Sequence, residues 1–157
     1  MELSNNFSLK EFTKSATADR LGINNTAPDI AIDNMKFLCK EVLQPARDHF
    51  KNEFGDVFIK VTSGYRNIQL SEAMPGSSSR SFHCHGMAAD IELYIKNGTR
   101  YMETNEKLYY YIKENLPFTE LIWEYGDDKM PAWVHVALSK HDKRKMIKRF
   151  PKGKELK

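Results

Sequence analysis

Two histidines and an aspartate most constrain how this chain can fold. His83 and Asp90 share the stretch Ser81-Phe-His-Cys-His-Gly-Met-Ala-Ala-Asp90-Ile-Glu-Leu93, and His135 lies far downstream in Trp133-Val-His135-Val. Two imidazoles and one carboxylate are the ligand set of a catalytic zinc, with a fourth position left for water. To serve together, residues 83–90 must be folded against residue 135, and Gly86 lets the chain turn between the first two groups. A lone His-x6-Asp pair arises often by chance, and structurally satisfied histidines are the competing reading. The alternating, aromatic-flanked pattern around His135 strengthens the metal reading, although spacing alone leaves structural histidines ahead of it.

The remaining sequence reads as the scaffold for that encounter. Phe7 to Phe12 is expected to be a short helix, capped by Ser8 with Glu11 three residues later. Residues 15–28, with Asn24-Asn25-Thr26 before a proline, read as loop. From Pro28 to Phe54, the residues Met35, Leu38, Cys39, Val42, Leu43, Ala46 and Phe50 fall at helical spacing on one apolar stripe. Pro45 interrupts it. An interior proline costs about 3 kcal/mol, so a kink or a split into two helices is expected there.

Val57 to Thr62 alternates as a strand and runs into Ser63-Gly-Tyr-Arg66, which presents an arginine at the strand end. Residues 67–74 predict one or two helical turns, and Pro75 to Arg80 a flexible loop. Ala88 to Tyr94 is a second strand with Ala89, Ile91 and Leu93 on one face and Asp90 and Glu92 on the other. Asn97-Gly98 marks a turn. Thr104 is placed to cap a helix to about Asn115, with Leu108, Tyr111 and Ile112 inward. Glu120 to Tyr125 and Trp133 to Leu138 are the last two strands. Helices first and strands after define an α+β fold with a small, mainly antiparallel sheet and the N-terminal helices on one side.

A chain of 157 residues, 41% hydrophobic, suits one domain with one modest core. No window approaches the ~20 apolar residues of a membrane span, so no membrane insertion is expected. The N-terminus lacks the basic start and apolar core of a secretory signal, which points to synthesis in the cytoplasm. Cys39 and Cys84 suit a reduced setting better than a disulfide, and Cys84, between two histidines, is a further candidate ligand. Charge is uneven: residues 138–157 carry nine Lys/Arg against two acids, whereas residues 1–137 carry 15 against 19. The division expected is a domain over 1–138 and a basic tail over 139–157. Such a tail suits an anionic surface. A solvated, frayed terminus is the plainer reading, so nucleic acid is not an expected partner.

Ser63-Gly-Tyr-Arg66, Ser81-x-His83-x-x-Gly86-x-Ala88-Ala-Asp90-Ile, and Leu121-Ile-Trp-Glu124 followed by Trp133-Val-His135-Val occur in order at suitable intervals. Phe12-x-x-Ser15-x-Thr17-Ala18 and Val42-Leu-Gln-Pro45-x-Arg47 precede them. Together, over about residues 7–138, the chain resembles the zinc D-Ala-D-Ala carboxypeptidase and L-alanyl-D-glutamate endopeptidase family, which shares the Hedgehog/DD-peptidase fold. The likeness is greatest to single-domain phage and prophage enzymes. It implies a Zn2+ peptidase acting on peptidoglycan stem or cross-link peptides at the cell wall after release from the cell, with a monomer favoured.

It also implies that His83, Asp90 and His135 ligate the metal, that Arg66 meets a substrate carboxylate or the developing oxyanion, and that Ser81 binds substrate or steadies the loop. A fixed guanidinium near a scissile carbonyl stabilises charge that appears in the transition state; a surface salt bridge is its plainer role. Several relatives carry an acid three residues before the last histidine, where this chain has Ala132. Glu124 is then the preferred general base, with Asp127 and Asp128 as fallbacks and Glu92 less suited. The missing acid also keeps a rival open, a non-catalytic zinc module that binds cell wall or a protein partner. His85 reads as a rim residue.

Overall fold

The computed structural model describes residues 1–75 and 81–151. Most of the expected Pro75–Arg80 loop and the last six residues of the basic segment therefore lie outside the described residues.

Short strands β1 (Glu2–Ser4) and β2 (Phe7–Ser8) form a small antiparallel ribbon. Helix α1 (Leu9–Thr13) starts two residues later than expected, because Phe7 and Ser8 are held in β2. Its capping box is formed: the Ser8 N–H and Oγ–H both donate to the Glu11 carboxylate, at 2.7 and 2.9 Å. The stretch expected to be loop contains α2 (Ala16–Leu21). The Ser15 hydroxyl accepts from the Ala18 N–H at 3.2 Å, and Gly22 ends the helix at φ +68°.

Helix α3 (Asp29–Leu38) and helix α4 (Gln44–Phe54) are joined by one π-helical turn, Cys39–Leu43. This is the structural answer to Pro45. The Gln44 N–H bonds back to Cys39 O, one residue further than in an α-helix, and Pro45 falls in the first turn of α4. There its missing N–H and fixed φ carry little penalty. All seven residues of the predicted stripe are buried.

The main sheet contains β3 (Val57–Ser63), β4 (Ala88–Asn97), β5 (Arg100–Glu103), β6 (Glu120–Glu124), β7 (Trp133–Ala137) and β8 (Met146–Phe150). The strand order is β3-β4-β7-β6-β8, with β5 paired to the far half of β4 across the Asn97-Gly98 turn. Every pairing is antiparallel except β6 with β8. Helix α5 (Ile68–Ala73) follows β3, and α6 (Asn105–Asn115) follows β5.

One face of the sheet is apolar and meets the helices. Met35, Leu38, Leu43, Leu108 and Ile112 pack in one buried cluster with Ile91, Leu93, Leu121, Trp123, Val134 and Val136. Each such side chain stabilises the fold by about 1.5–3 kcal/mol through its removal from water. In α6 it is Tyr109, edge-on to Trp123, that is fully buried. Tyr111, expected inward, is only partly buried and stacks on His49.

The described part of the basic segment, residues 139–151, is tied to the sheet. Residues 146–150 extend the sheet as β8, and the approach to it is tied down by Thr119, whose hydroxyl donates to Asp142 O at 2.6 Å and accepts from the Ser139 N–H at 2.9 Å. Arg149 pairs with Asp128 at 2.6 Å. The sheet therefore runs past the boundary expected after residue 138. Among the described residues no helix is long and apolar enough to cross a membrane.

Candidate metal centre

The face of the sheet turned away from the helices carries the polar half of each alternation. Asp90 on β4 stands opposite His135 on β7, His135 opposite Ile122 on β6, and Ile122 opposite Lys148 on β8. Residues aligned across neighbouring strands project from the same face, so register alone places Asp90 and His135 side by side. His83 arrives from outside the sheet, on a 3-10 turn over Phe82–His85 that Ser81 caps and Gly86 ends at φ +70°. The Ser81 hydroxyl accepts from the His83 N–H at 3.2 Å.

The three side chains meet. His83 Nε2 lies 3.3 Å and His135 Nδ1 3.1 Å from the same oxygen, Asp90 Oδ1. One candidate donor atom from each of the three lies within 4.8 Å of the other two. All three are at most 9% exposed. Each imidazole is oriented by its other nitrogen. His83 Nδ1 lies 2.7 Å from Gly64 O, and because a carbonyl only accepts, Nδ1 carries the proton and Nε2 the lone pair. His135 Nε2 lies 2.8 Å from Glu120 Oε1, which leaves Nδ1 for the cluster. Metal-binding histidines are commonly held this way. A divalent cation fits the set, since one nitrogen of each imidazole and an anionic oxygen face one point, and a metal there would take the place of the proton between His135 Nδ1 and Asp90. Cys84 and His85 are not members of the cluster.

Charge is arranged accordingly. Burial holds His83 below the usual imidazole range despite Asp90 beside it. Burial opposes the charged form of His135 as well, but its hydrogen bonds to Asp90 and Glu120 prevail and raise it to about 9. Asp90 is buried too, yet the adjacent His83 and His135 hold its carboxyl well below the usual range. The hydrogen bond from His135 lowers Glu120 to about 2, aided by Lys148.

The cluster lies in the wall of a cleft of about 730 Å³, and Arg66, Ser81, Glu92, Glu124, Trp133 and Phe150 line the same space. Glu124 Oε1 is 3.9 Å from His135 Nδ1. Burial, then the charge on Asp90, pushes the Glu124 carboxyl above its ordinary value, as suits a group that takes up and releases a proton. The two fallback acids are engaged elsewhere. Asp127 Oδ1 accepts from the Lys129 and Met130 N–H groups and shapes the β6–β7 loop, and Asp128 pairs with Arg149. Glu92 accepts from the Tyr94 hydroxyl at 2.5 Å. The Arg66 N–H donates to His83 O at 3.1 Å, so the arginine and the first histidine share a backbone link.

Two contributors escaped the sequence reading. Glu120 carried no signal, because its partner His135 is 15 residues away. Asn25, taken as part of a loop, is buried and clips the Arg66 turn in place. Its amide donates to Thr13 O and Tyr65 O and its Oδ1 accepts from the Asn67 N–H, all at 2.9–3.0 Å.

Two imidazole nitrogens and a carboxylate oxygen gathered around one point, with a second carboxylate and a guanidinium in the same cleft, are the equipment of a metal-dependent hydrolase, and that is the class this fold and site define. The chain matches the peptidase M15 family over residues 5–137 and belongs to that family, whose members are zinc-dependent metallopeptidases. No curated protein shows significant similarity to it.

Proposed function

We propose that this chain hydrolyses peptide bonds in bacterial peptidoglycan, in stem or cross-link peptides, as a phage- or prophage-type lytic enzyme of the carboxypeptidase or endopeptidase kind. The supporting observation is the convergence of His83 Nε2 and His135 Nδ1 on one oxygen of Asp90, inside a cleft that also holds Glu124 and Arg66. His83, Asp90 and His135 would hold the metal. Zinc bound there supplies a Lewis acid and a water acidic enough to ionise near neutral pH.

The other steps belong to the chain's own residues. Glu124 takes the proton of the attacking water and passes it to the departing amine, so that the amine leaves neutral. Its elevated proton affinity and its proximity to His135 support this role over Asp127 and Asp128. Arg66, at the end of the turn after β3, faces substrate carboxylate or the negative charge that develops on the carbonyl oxygen. Ser81 holds the turn carrying His83 and offers its hydroxyl to the cleft. Burial of the three ligand residues keeps bulk water from competing for the site. The non-catalytic alternative draws on the absence of an acid at Ala132, and a cleft carboxylate at Glu124 weakens it.

Digestion of purified peptidoglycan, followed by mass spectrometry of the released muropeptides, tests the proposal and identifies the bond. Fragments with one new amine and one new carboxylate are expected. Binding to the wall without any new fragment would establish the module instead.

A further inference from the structure

The metal-ligand histidine His135 is held from behind by a chain of contacts that leaves the family-matched region. Glu120 Oε1 lies 2.8 Å from His135 Nε2, and Glu120 Oε2 accepts from Lys148 Nζ at 2.8 Å. Lys148 belongs to β8, which begins nine residues beyond the end of the match at 137. Its register is fixed by the parallel pairing with β6, with Ile122 opposite Lys148 and Glu120 opposite Met146. Side chains two apart on a strand share a face, so Glu120 and Ile122 both look toward the cleft and Lys148 reaches Glu120 diagonally. The Glu120 side chain is only 12% exposed, so its orientation matters to every group it touches.

We infer that Glu120 is a positioning residue for the metal centre and that β8 completes the centre by supplying Lys148 to fix it. With one carboxylate oxygen held by the lysine, the other stays in place to accept the His135 Nε2 proton. His135 is thereby kept in the tautomer whose Nδ1 faces Asp90 and His83. This inference rests on the metal reading above and adds a second claim, that the segment after residue 137 is part of the working site.

A competing effect has the opposite sign. Lys148 is a cation near a cation site, so simple Coulomb repulsion predicts that its removal tightens metal binding. Half of its side chain is exposed, which screens that repulsion, whereas the hydrogen-bond chain is direct. Loss of an outer partner of a metal-bound histidine typically weakens affinity 10–100-fold.

The test is zinc affinity, measured by competition with a chromophoric chelator on the full chain. Compared are wild type, Glu120→Met, Glu120→Gln, Lys148→Met and the double variant Glu120→Met/Lys148→Met. Glu120→Met is expected to weaken zinc by about 10–100-fold, and Glu120→Gln, whose carbonyl oxygen still accepts from Nε2, to recover most of it. Lys148→Met is expected to weaken zinc by about tenfold, and to add nothing in the Glu120→Met background. Side-chain 15N NMR of zinc-loaded wild type should show the His135 proton on Nε2, a signature that a purely structural role for Glu120 would not require. Wild-type affinity in Lys148→Met, or tighter binding, overturns the role of β8. Unchanged affinity in Glu120→Met overturns the role of Glu120. A wild type without zinc affinity removes the metal reading and this inference together.

Discussion

Gly86→Ala tests how His83 is placed. Gly86 ends the turn that carries His83, at φ +70°, and a Cβ there would lie 2.4 Å from Ala31 O on α3 and 3.0 Å from its carbonyl carbon. Two effects separate. The left-handed backbone costs a residue with a Cβ about 1–2 kcal/mol. The contact with Ala31 must then open by roughly 1 Å to reach ordinary van der Waals distance, and overpacking of that kind adds about 1–3 kcal/mol. Gly22 isolates the first effect, since it has φ +68° and nothing within 4 Å of its would-be Cβ. Gly22→Ala should therefore lose about 1–2 kcal/mol in urea unfolding, and Gly86→Ala about 2–5 kcal/mol. A functional site tolerates displacements of only about 0.5 Å. The shift at Gly86 should therefore pull His83 off its 3.3 Å contact with Asp90 and weaken zinc by about tenfold or more, whereas Gly22→Ala leaves zinc affinity unchanged. Equal stability losses in the two variants, with wild-type zinc affinity in both, would refute the packing of the His83 turn against α3 described above.

Three further outcomes follow from the geometry. Glu124→Gln should keep zinc, since Glu124 is outside the ligand cluster, yet lower turnover on peptidoglycan by about 100-fold or more; normal turnover would dismiss Glu124 as the base. Arg66→Lys should not restore what Arg66→Ala loses in kcat/KM, because a planar two-pronged donor is replaced by a point charge; full activity in the lysine variant would contradict an oxyanion or carboxylate clamp. Burial, with some help from Glu11, pushes the Cys39 thiol up to about 12 from an ordinary 9.0. Between those limits the unfolded chain releases a proton that the folded chain retains, so stability is full below pH 9 and falls as pH rises, by about 1.4 kcal/mol per unit from this group. Cys39→Ala should flatten that alkaline limb, as read by urea unfolding at pH 8 to 11; an unchanged slope would show that Cys39 does not titrate between the folded and unfolded states.

The candidate ligands were legible less from the spacing of His83 and Asp90, which is common by chance, than from the alternation around Asp90 and His135, which assigns each to the polar face of a strand. The apolar stripe from Met35 to Phe50 was legible for a similar reason, its period being helical on both sides of Pro45. The way the chain accommodates Pro45 was not, since a π-turn is a local response to packing. Helix α2 had its Ser15 cap and Gly22 stop in plain view, but it is six residues long and Asn24-Asn25-Thr26 beside it reads as loop. Strand β8 was concealed by its charge. Met146-Ile-Lys-Arg-Phe150 sits among basic residues, and the pairing that makes it a strand is parallel and 26 residues distant, which no local pattern reports. Glu120 was missed for the same physical reason: a carboxylate that supports a histidine across a sheet is specified by register.

Metal content and catalysis can be titrated together on one preparation. The chain is stripped with chelator, zinc is returned in fractions of an equivalent, and muropeptide release from purified peptidoglycan is followed at each step. If His83, Asp90 and His135 hold the working metal, release should vanish on stripping, climb with added zinc and level off at about one equivalent per chain. Full release from the stripped protein, or none at any zinc level, would contradict a zinc peptidase built on these three residues.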